Sequence, residues 1–357
     1  MVATVAASRI SIIGPGAVGS FYGARLLEAS RTRYDRNQKA GSVIDPDTEF
    51  IFFSPRKGPS PHITACRSTG LSVTSNVFPT MHIKHSPPKT CFTSSADDLQ
   101  PSEWVVIALK GTEEGLNTLP TILPKLLKAD GTSRITVVMN GLVDQKISQI
   151  ISTLETPVAS IFGCAAYICA NRERPGHVNH TFCGDLKGGV VESSLDHEAE
   201  TRHLTNFFES AVSFERSPIS HLRWRKSLWN VPFNGLCTLL NVTTDHIAGD
   251  VKLREEATTI MQEVIEVANS DLASLSQPQR LSAKDVDAMW LLTDTMGVYF
   301  PSTLLDYRNG MELELRYIFD EVVTRAASHG VPIPRTADLV SQLHQRQNEI
   351  KNNNKYI

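Results

Sequence analysis

The sequence predicts an α/β domain with a doubly wound parallel sheet at the N-terminus, followed by an all-helical domain. Three observations carry that expectation. From Arg9 to Phe162, short β-branched runs alternate with stretches of helical spacing. A glycine-rich turn, Gly14-Pro15-Gly16-Ala17-Val18-Gly19, stands between the first such run and the first helix. From about residue 196 onward the apolar spacing is helical throughout.

Taken in order, Arg9-Ile10-Ser11-Ile12-Ile13 is a buried strand stopped by glycine, and a helix runs on through Glu28. Residues 31–48 are polar and aperiodic, which predicts a surface insertion, and Glu49–Ser54 is the next strand. A Pro/Ser/Thr-rich stretch, 58–95, holds weak strand signals at 71–73 and 81–83. Parallel-strand candidates follow at 104–109, 134–139 and 158–162, with helical spacing at 112–128 and 142–154 between them. A β-hairpin over 177–192 is expected to close this domain. Helical periods then cover 196–211, 221–240, 251–272, 283–297, 311–329 and 335–350, and Gly330, Pro332 and Pro334 stop one of them. The expected division is 1–195, 196–351 and a tail of 352–357.

Composition narrows the function. A length of 357 residues fits two domains, and 41% hydrophobic with 20% charged residues is ordinary for a globular chain. Lys plus Arg (35) nearly balance Asp plus Glu (38), which removes a global electrostatic case for nucleic acid or an anionic membrane as partner. No apolar run approaches the roughly 20 residues of a membrane span, and the N-terminus lacks the pattern of a secretory signal. A soluble cytoplasmic protein is expected. The six cysteines contain no CxxC pair and read as reduced thiols without catalytic activation. His177 and His180 in one extended strand point to opposite faces, so with Cys183 they make no metal site, and no metal is expected. Asn179-His180-Thr181 and Asn241-Val242-Thr243 match the glycosylation pattern but lack a secretory context.

The GxGxxG of Gly14, Gly16 and Gly19 acquires meaning from its place after a strand and before a helix. The first glycine permits the tight turn, the second admits a pyrophosphate to the backbone, and the third lets helix and strand pack closely. Helix N-terminal N–H groups receive the phosphates, so Pro15, Ala17 and Val18 join the expected cofactor site. Asp35 has the spacing of an acid that binds a ribose 2′-hydroxyl, but it falls in the aperiodic insertion. The second strand ends instead in Ser54-Pro55-Arg56-Lys57, two cations placed for a 2′-phosphate. NADPH is therefore expected over NADH.

In the helical half, Lys226, Asn230 and Asn234 are spaced i, i+4, i+8. One helix face thus presents an ammonium and two amides among Trp224, Leu228, Trp229, Phe233 and Leu236. Partial burial lowers a lysine pKa and suits it to donate a proton near neutrality; local packing by a solvated lysine and capping asparagines is the alternative. The aromatic residues at 224, 229 and 233 read as core.

With these residues in place the chain resembles the ketopantoate reductase family. The resemblance rests on GxGxxG, on Ala108-Leu109-Lys110, on Met139-Asn140-Gly141, on the Trp-Arg-Lys-x3-Asn-x3-Asn helix, and on Pro301-Ser302, Glu314 and Ser328-His329-Gly330-Val331-Pro332, in order from about 9 to 335. It implies a Rossmann domain joined to a helical domain like that of 6-phosphogluconate dehydrogenases, and NADPH-dependent reduction of 2-dehydropantoate to pantoate. It further implies that Lys226 is the general acid, that Asn230 and Asn234 hydrogen-bond the substrate, and that Ser302 contacts its carboxylate. Glu314 would orient the substrate hydroxyl and the lysine, and Asn140 would lie near nicotinamide and substrate. Lys110 would serve on the cofactor side, and Arg56 on the 2′-phosphate. Departures from the family pattern are Pro232 between the two asparagines, where a kink is expected, the Met311–Leu315 context of Glu314, and the 31–48 insertion. Reduction of another carbonyl or imine on the same scaffold, and a non-catalytic dinucleotide-binding regulator, are the alternatives. Monomer and homodimer are both compatible with the sequence.

Overall fold

The computed structural model of the chain describes residues 7–32, 44–56 and 58–353; Asp35, Lys57, most of the 31–48 insertion and the last four residues of the tail lie outside the described residues. The chain divides into two compact units. Unit 1 runs to Lys110 and takes in Glu114–Met139 and Asp144–Ile219, while unit 2 comprises Gly111–Glu113, Asn140–Val143 and the chain from Ser220 onward.

Unit 1 begins β1 (Ala7–Ile13), α1 (Ala17–Thr32), β2 (Ile44–Phe53), α2 (Pro61–Thr69), β3 (Leu71–Ser75), β4 (Met81–Ile83) and β5 (Thr90–Thr93). It continues with β6 (Trp104–Ile107), α3 (Glu113–Asn117), α4 (Leu119–Leu126), β7 (Arg134–Val137), α5 (Asp144–Ser152), β8 (Ser160–Arg174), β9 (His177–Ser193), α6 (His197–Glu209) and β10 (Phe214–Arg216). The strands form one sheet in the order β4-β3-β9-β8-β7-β6-β1-β2-β5, with β10 beside β9. From β5 to β8 every neighbour is parallel, whereas β8–β9 and β3–β4 are antiparallel. The Rossmann-type core is thus extended into a mixed sheet. Ile10, Ile12, Ile13, Phe50, Phe52, Val105, Val106 and Ile107 are all buried, the continuous apolar reading of strands covered on both faces.

Two expectations are corrected here. Residues 177–192 do not fold on themselves: β9 is one 17-residue strand paired with β8, and the hairpin turn falls at Pro175-Gly176. Gly184 sits at a bulge in this pairing, where Cys183 also has a positive φ. The second concerns the end of the first unit, expected at 195 from the change of period. Phe207 of α6 stacks on Trp104 with centroids 3.9 Å apart, and Glu200 accepts from Arg134 Nε and Nη2 at 2.8 Å each. Helix α6 therefore belongs to the sheet it covers, and unit 1 runs to Ile219.

Unit 2 is helical: α7 (Ile219–Trp229), α8 (Gly235–Leu240), α9 (Thr244–Gly249), α10 (Val251–Ser274), α11 (Ala283–Met296), α12 (Ser302–Arg308), α13 (Glu321–His329) and α14 (Pro334–Asn353). Its core contains Trp224, Leu228, Val231 and Phe233. Phe233 lies edge-on to Trp290 and stacked with Trp229, so the aromatic residues of this segment are packing elements. Buried Asp271 on α10 accepts from Trp224 Nε1 at 2.8 Å and from Arg325 Nη1 at 2.7 Å, tying α7, α10 and α13 together. No helix among the described residues is long and apolar enough to cross a membrane.

Candidate active site

In unit 1 the carboxyl ends of β1, β2, β6 and β7 are level, with Ile13 opposite Phe53 and Ile107, and Ile107 opposite Val137. The chain passes from β1 to β2 on one side, and the strand on the other side of β1 is β6, reached later from β5. The strand order therefore reverses beside β1, at the switch point where open α/β sheets bind ligands. Gly14 starts the loop there with φ of +84°, and a Cβ on it would stand 2.7 Å from Ala108 O. A Cβ on Gly19 would meet Gly14 O at 2.3 Å, because α1 packs directly on the loop. Gly16 is the opposite case: a Cβ there would find no atom within 4 Å. Open space therefore lies over the backbone at the N-terminus of the 16-residue α1, whose first turn holds no acidic side chain. That cradle has the room and the main-chain N–H groups to fit a dinucleotide pyrophosphate. Arg56 is exposed three residues beyond β2, and Lys110 is exposed three residues beyond β6.

The remaining expected residues lie in unit 2, in three bonded groups: Lys226 with Asn140, Asn230 with Asn234 and Ser302, and Glu314 with Gly111. Lys226, half-buried near the end of α7, donates from Nζ to Asn140 Oδ1 at 2.7 Å. Asn140 is held for this by the residues after it. Gly141 has φ of +82°, and a Cβ there would lie 2.3 Å from Tyr317 O, so only glycine lets the segment approach; Leu142 N then donates to the same carbonyl at 2.8 Å.

The expected helix over 221–240 is interrupted by a π-turn, Asn230–Asn234, and this is the form the Pro232 kink takes. A proline ring in an α-helix collides with the carbonyl four residues back, and a widened turn relieves that contact. Asn230 and Asn234 stay adjacent, with Asn234 Nδ2 donating to Asn230 Oδ1 at 3.3 Å, and both are buried. Asn234 Oδ1 accepts from Thr303 N at 3.1 Å and from Ser302 Oγ at 3.4 Å, which joins Ser302 at the start of α12 to the asparagine pair. Buried Glu314 stands just before a second π-turn, Arg316–Asp320, and its Oε1 accepts from Gly111 N at 2.6 Å. Gly111, Thr303 and Tyr317 contribute main-chain groups, which no side-chain pattern announces. Lys226, Asn140, Asn230, Asn234 and Ser302 together offer an ammonium, three carboxamides and a hydroxyl, a set suited to a small oxygen-rich ligand.

Residues 57–193 match the family described as ketopantoate reductase PanE/ApbA, and residues 218–347 match its C-terminal domain. The chain belongs to the ketopantoate reductase family. It is an oxidoreductase of the ketopantoate reductase type. It is 28% identical over 341 residues, 94% of each chain, to a 2-dehydropantoate 2-reductase of Nostoc sp.. Among solved structures it resembles 2-dehydropantoate 2-reductase from Geobacter metallireducens, at 27% identity and a TM-score of 0.78 over 94% of this chain and 99% of that one. D-mandelate dehydrogenase, solved with NADH and anilino(oxo)acetate, shares the fold at 19% identity and a TM-score of 0.77, over 96% of this chain and 99% of that one.

Proposed function

We propose that this ketopantoate reductase family member reduces a 2-oxo acid to the 2-hydroxy acid with NADPH, and that the substrate is 2-dehydropantoate, giving (R)-pantoate for pantothenate biosynthesis in the cytoplasm. The observation that carries the reading is the 2.7 Å bond from Lys226 Nζ to Asn140 Oδ1. It fixes where the ammonium stands, and an ammonium is the kind of donor that a developing alkoxide requires.

When bound, the reduced nicotinamide supplies the two electrons and one hydrogen that reach the carbonyl carbon. Lys226 gives a proton to the carbonyl oxygen as negative charge develops there. Asn140 holds the ammonium in place and faces nicotinamide and substrate. Asn230 and Asn234 hydrogen-bond the substrate, Ser302 binds its carboxylate, and Glu314 orients the substrate hydroxyl and the lysine. Gly14, Gly16 and Gly19, with Pro15, Ala17 and Val18, hold the pyrophosphate; Arg56 and Lys57 hold the 2′-phosphate, and Lys110 acts on the cofactor side.

The test is NADPH consumption with a panel of 2-oxo acids, 2-dehydropantoate first, beside NADH as coenzyme. Turnover with 2-dehydropantoate well above the other acids is the expected result. Turnover with a different carbonyl or imine alone would reassign the substrate, and dinucleotide binding without any turnover would leave the chain a regulator.

A further inference from the structure

We propose that His62 is a positioning residue for the glycine-rich loop, holding it open at Gly16 through the Ser20 hydroxyl and the Pro15 carbonyl. The inference rests on the dinucleotide reading of that loop.

His62 is buried in the first turn of α2, where Ser60 caps the helix by accepting from Ile63 N. Its Nδ1 accepts from Gly176 N, in the β8–β9 turn, at 3.1 Å. A main-chain N–H can only donate, so Nδ1 carries the lone pair and the ring proton is on Nε2. Nε2 faces Ser20 Oγ at 3.4 Å and Cys66 Sγ at 3.7 Å. Ser20, fully buried on α1, donates its single hydroxyl proton to Pro15 O at 3.0 Å. Ser20 Oγ therefore meets Nε2–H as an acceptor, and the chain has one direction: Gly176 to His62, His62 to Ser20, Ser20 to Pro15.

The consequence falls on one peptide plane. The Pro15 carbonyl and the Gly16 N–H belong to the same planar unit. Ser20 holds the carbonyl, and Gly14 O accepts from Gly16 N at 2.7 Å, so the plane is clamped from both ends. That clamp keeps Gly16 Cα turned toward the open space over the helix N-terminus. The dinucleotide cradle is in this way coupled to α2 and to the β8–β9 turn, neither of which belongs to the glycine motif.

The experiment compares wild type with His62→Phe, which keeps a ring and removes both bonds, Ser20→Ala, the double variant, and His62→Gln, which keeps a donor for Ser20. Hydrogen–deuterium exchange over residues 14–20 is measured without ligand, NADPH affinity by fluorescence titration, and KM and kcat at steady state. Each single variant is expected to speed exchange in the loop and raise the NADPH Kd about fivefold to tenfold, the loss of one buried hydrogen bond. At saturating NADPH, kcat should stay within about twofold, and the double variant should be no worse than the poorer single one, because one chain is cut twice. His62→Gln should recover most of the affinity. Unchanged loop exchange and Kd in both single variants would overturn the proposal, as would losses that multiply in the double variant. Should His62→Phe fail to fold, Ser20→Ala, which deletes one oxygen, decides alone. A wild-type protein that binds neither NADPH nor NADH would refute the dinucleotide reading and the proposal with it, a result visible before any variant is made.

Discussion

Lys226→Met separates proton donation from everything else the lysine does. Methionine keeps an unbranched apolar stem and deletes the ammonium that stands 2.7 Å from Asn140 Oδ1. Loss of a general acid lowers the rate by about 10²–10⁴, or roughly 3–5 kcal/mol of barrier. Asn140→Ala leaves the ammonium and removes only its charge-assisted partner, worth about 1.5–3 kcal/mol, so its effect should be the smaller of the two. Lys226→Arg keeps the positive charge, but a guanidinium is not deprotonated near neutral pH, so it should be nearly as slow as Lys226→Met. Steady-state turnover at saturating NADPH, with NADPH affinity from fluorescence titration, reads all three. The expected order of kcat is wild type, then Asn140→Ala, then Lys226→Arg and Lys226→Met together, with dinucleotide affinity nearly unchanged. A Lys226→Met protein retaining more than about a tenth of wild-type kcat would refute the general-acid role. A fast Lys226→Arg would show that charge alone suffices.

Arg56→Ala should raise KM for NADPH about tenfold to a hundredfold and leave that for NADH nearly unmoved, the cost of one charge-assisted phosphate contact; equal losses would remove Arg56 from the site. Gly16→Ala should melt within a degree or two of wild type, because its Cβ points into open space, yet weaken NADPH binding sharply. Gly14→Ala, at φ of +84° and against Ala108 O, should instead lose about 1–3 kcal/mol or more of stability in denaturant titrations. Burial, with help from the Arg172 charge, pushes the His62 pKa down to about 4 from 6.5. An unfolded chain then takes up a proton that the folded one refuses. The stability this neutral histidine contributes is whole above about pH 6.5 and falls away toward pH 4, by about 3 kcal/mol at most. Urea midpoints at pH 7.5 and 5 should therefore differ less for His62→Phe than for wild type, and an equal difference would exclude His62 as a source of the acid limb.

Legibility in the sequence followed the range of the forces involved. The strands around Ile12, Val106 and Ile135 could be read because a parallel strand buried on both faces must be apolar throughout, and their pairing as β1, β6 and β7 agrees. The short elements α2, β5, α9 and α12 carry too few residues to show a period. The hairpin expected over 177–192 turns instead at Pro175-Gly176, because the partner of β9 is set by the 14-residue pairing with β8, which no local pattern marks. Helix α6 has the period of the helices that follow it, but its Phe207 finds Trp104, a contact that no local pattern encodes.

What the chain's order of residues established unaided is the α/β-then-helical architecture, the glycine turn after the first strand, and the company of Lys226, Asn230 and Asn234 on one segment. Each of these follows from spacing within a few turns of helix or a few residues of strand. The tertiary structure alone decided that Lys226 meets Asn140 across 86 positions, that Ser302 and Thr303 reach Asn234, and that Glu314 receives the Gly111 amide. It also decided that Pro232 widens its helix into a π-turn instead of breaking it. Those contacts depend on main-chain N–H and C=O groups, which every residue carries and no sequence pattern marks, and on packing that closes only when distant segments share one core.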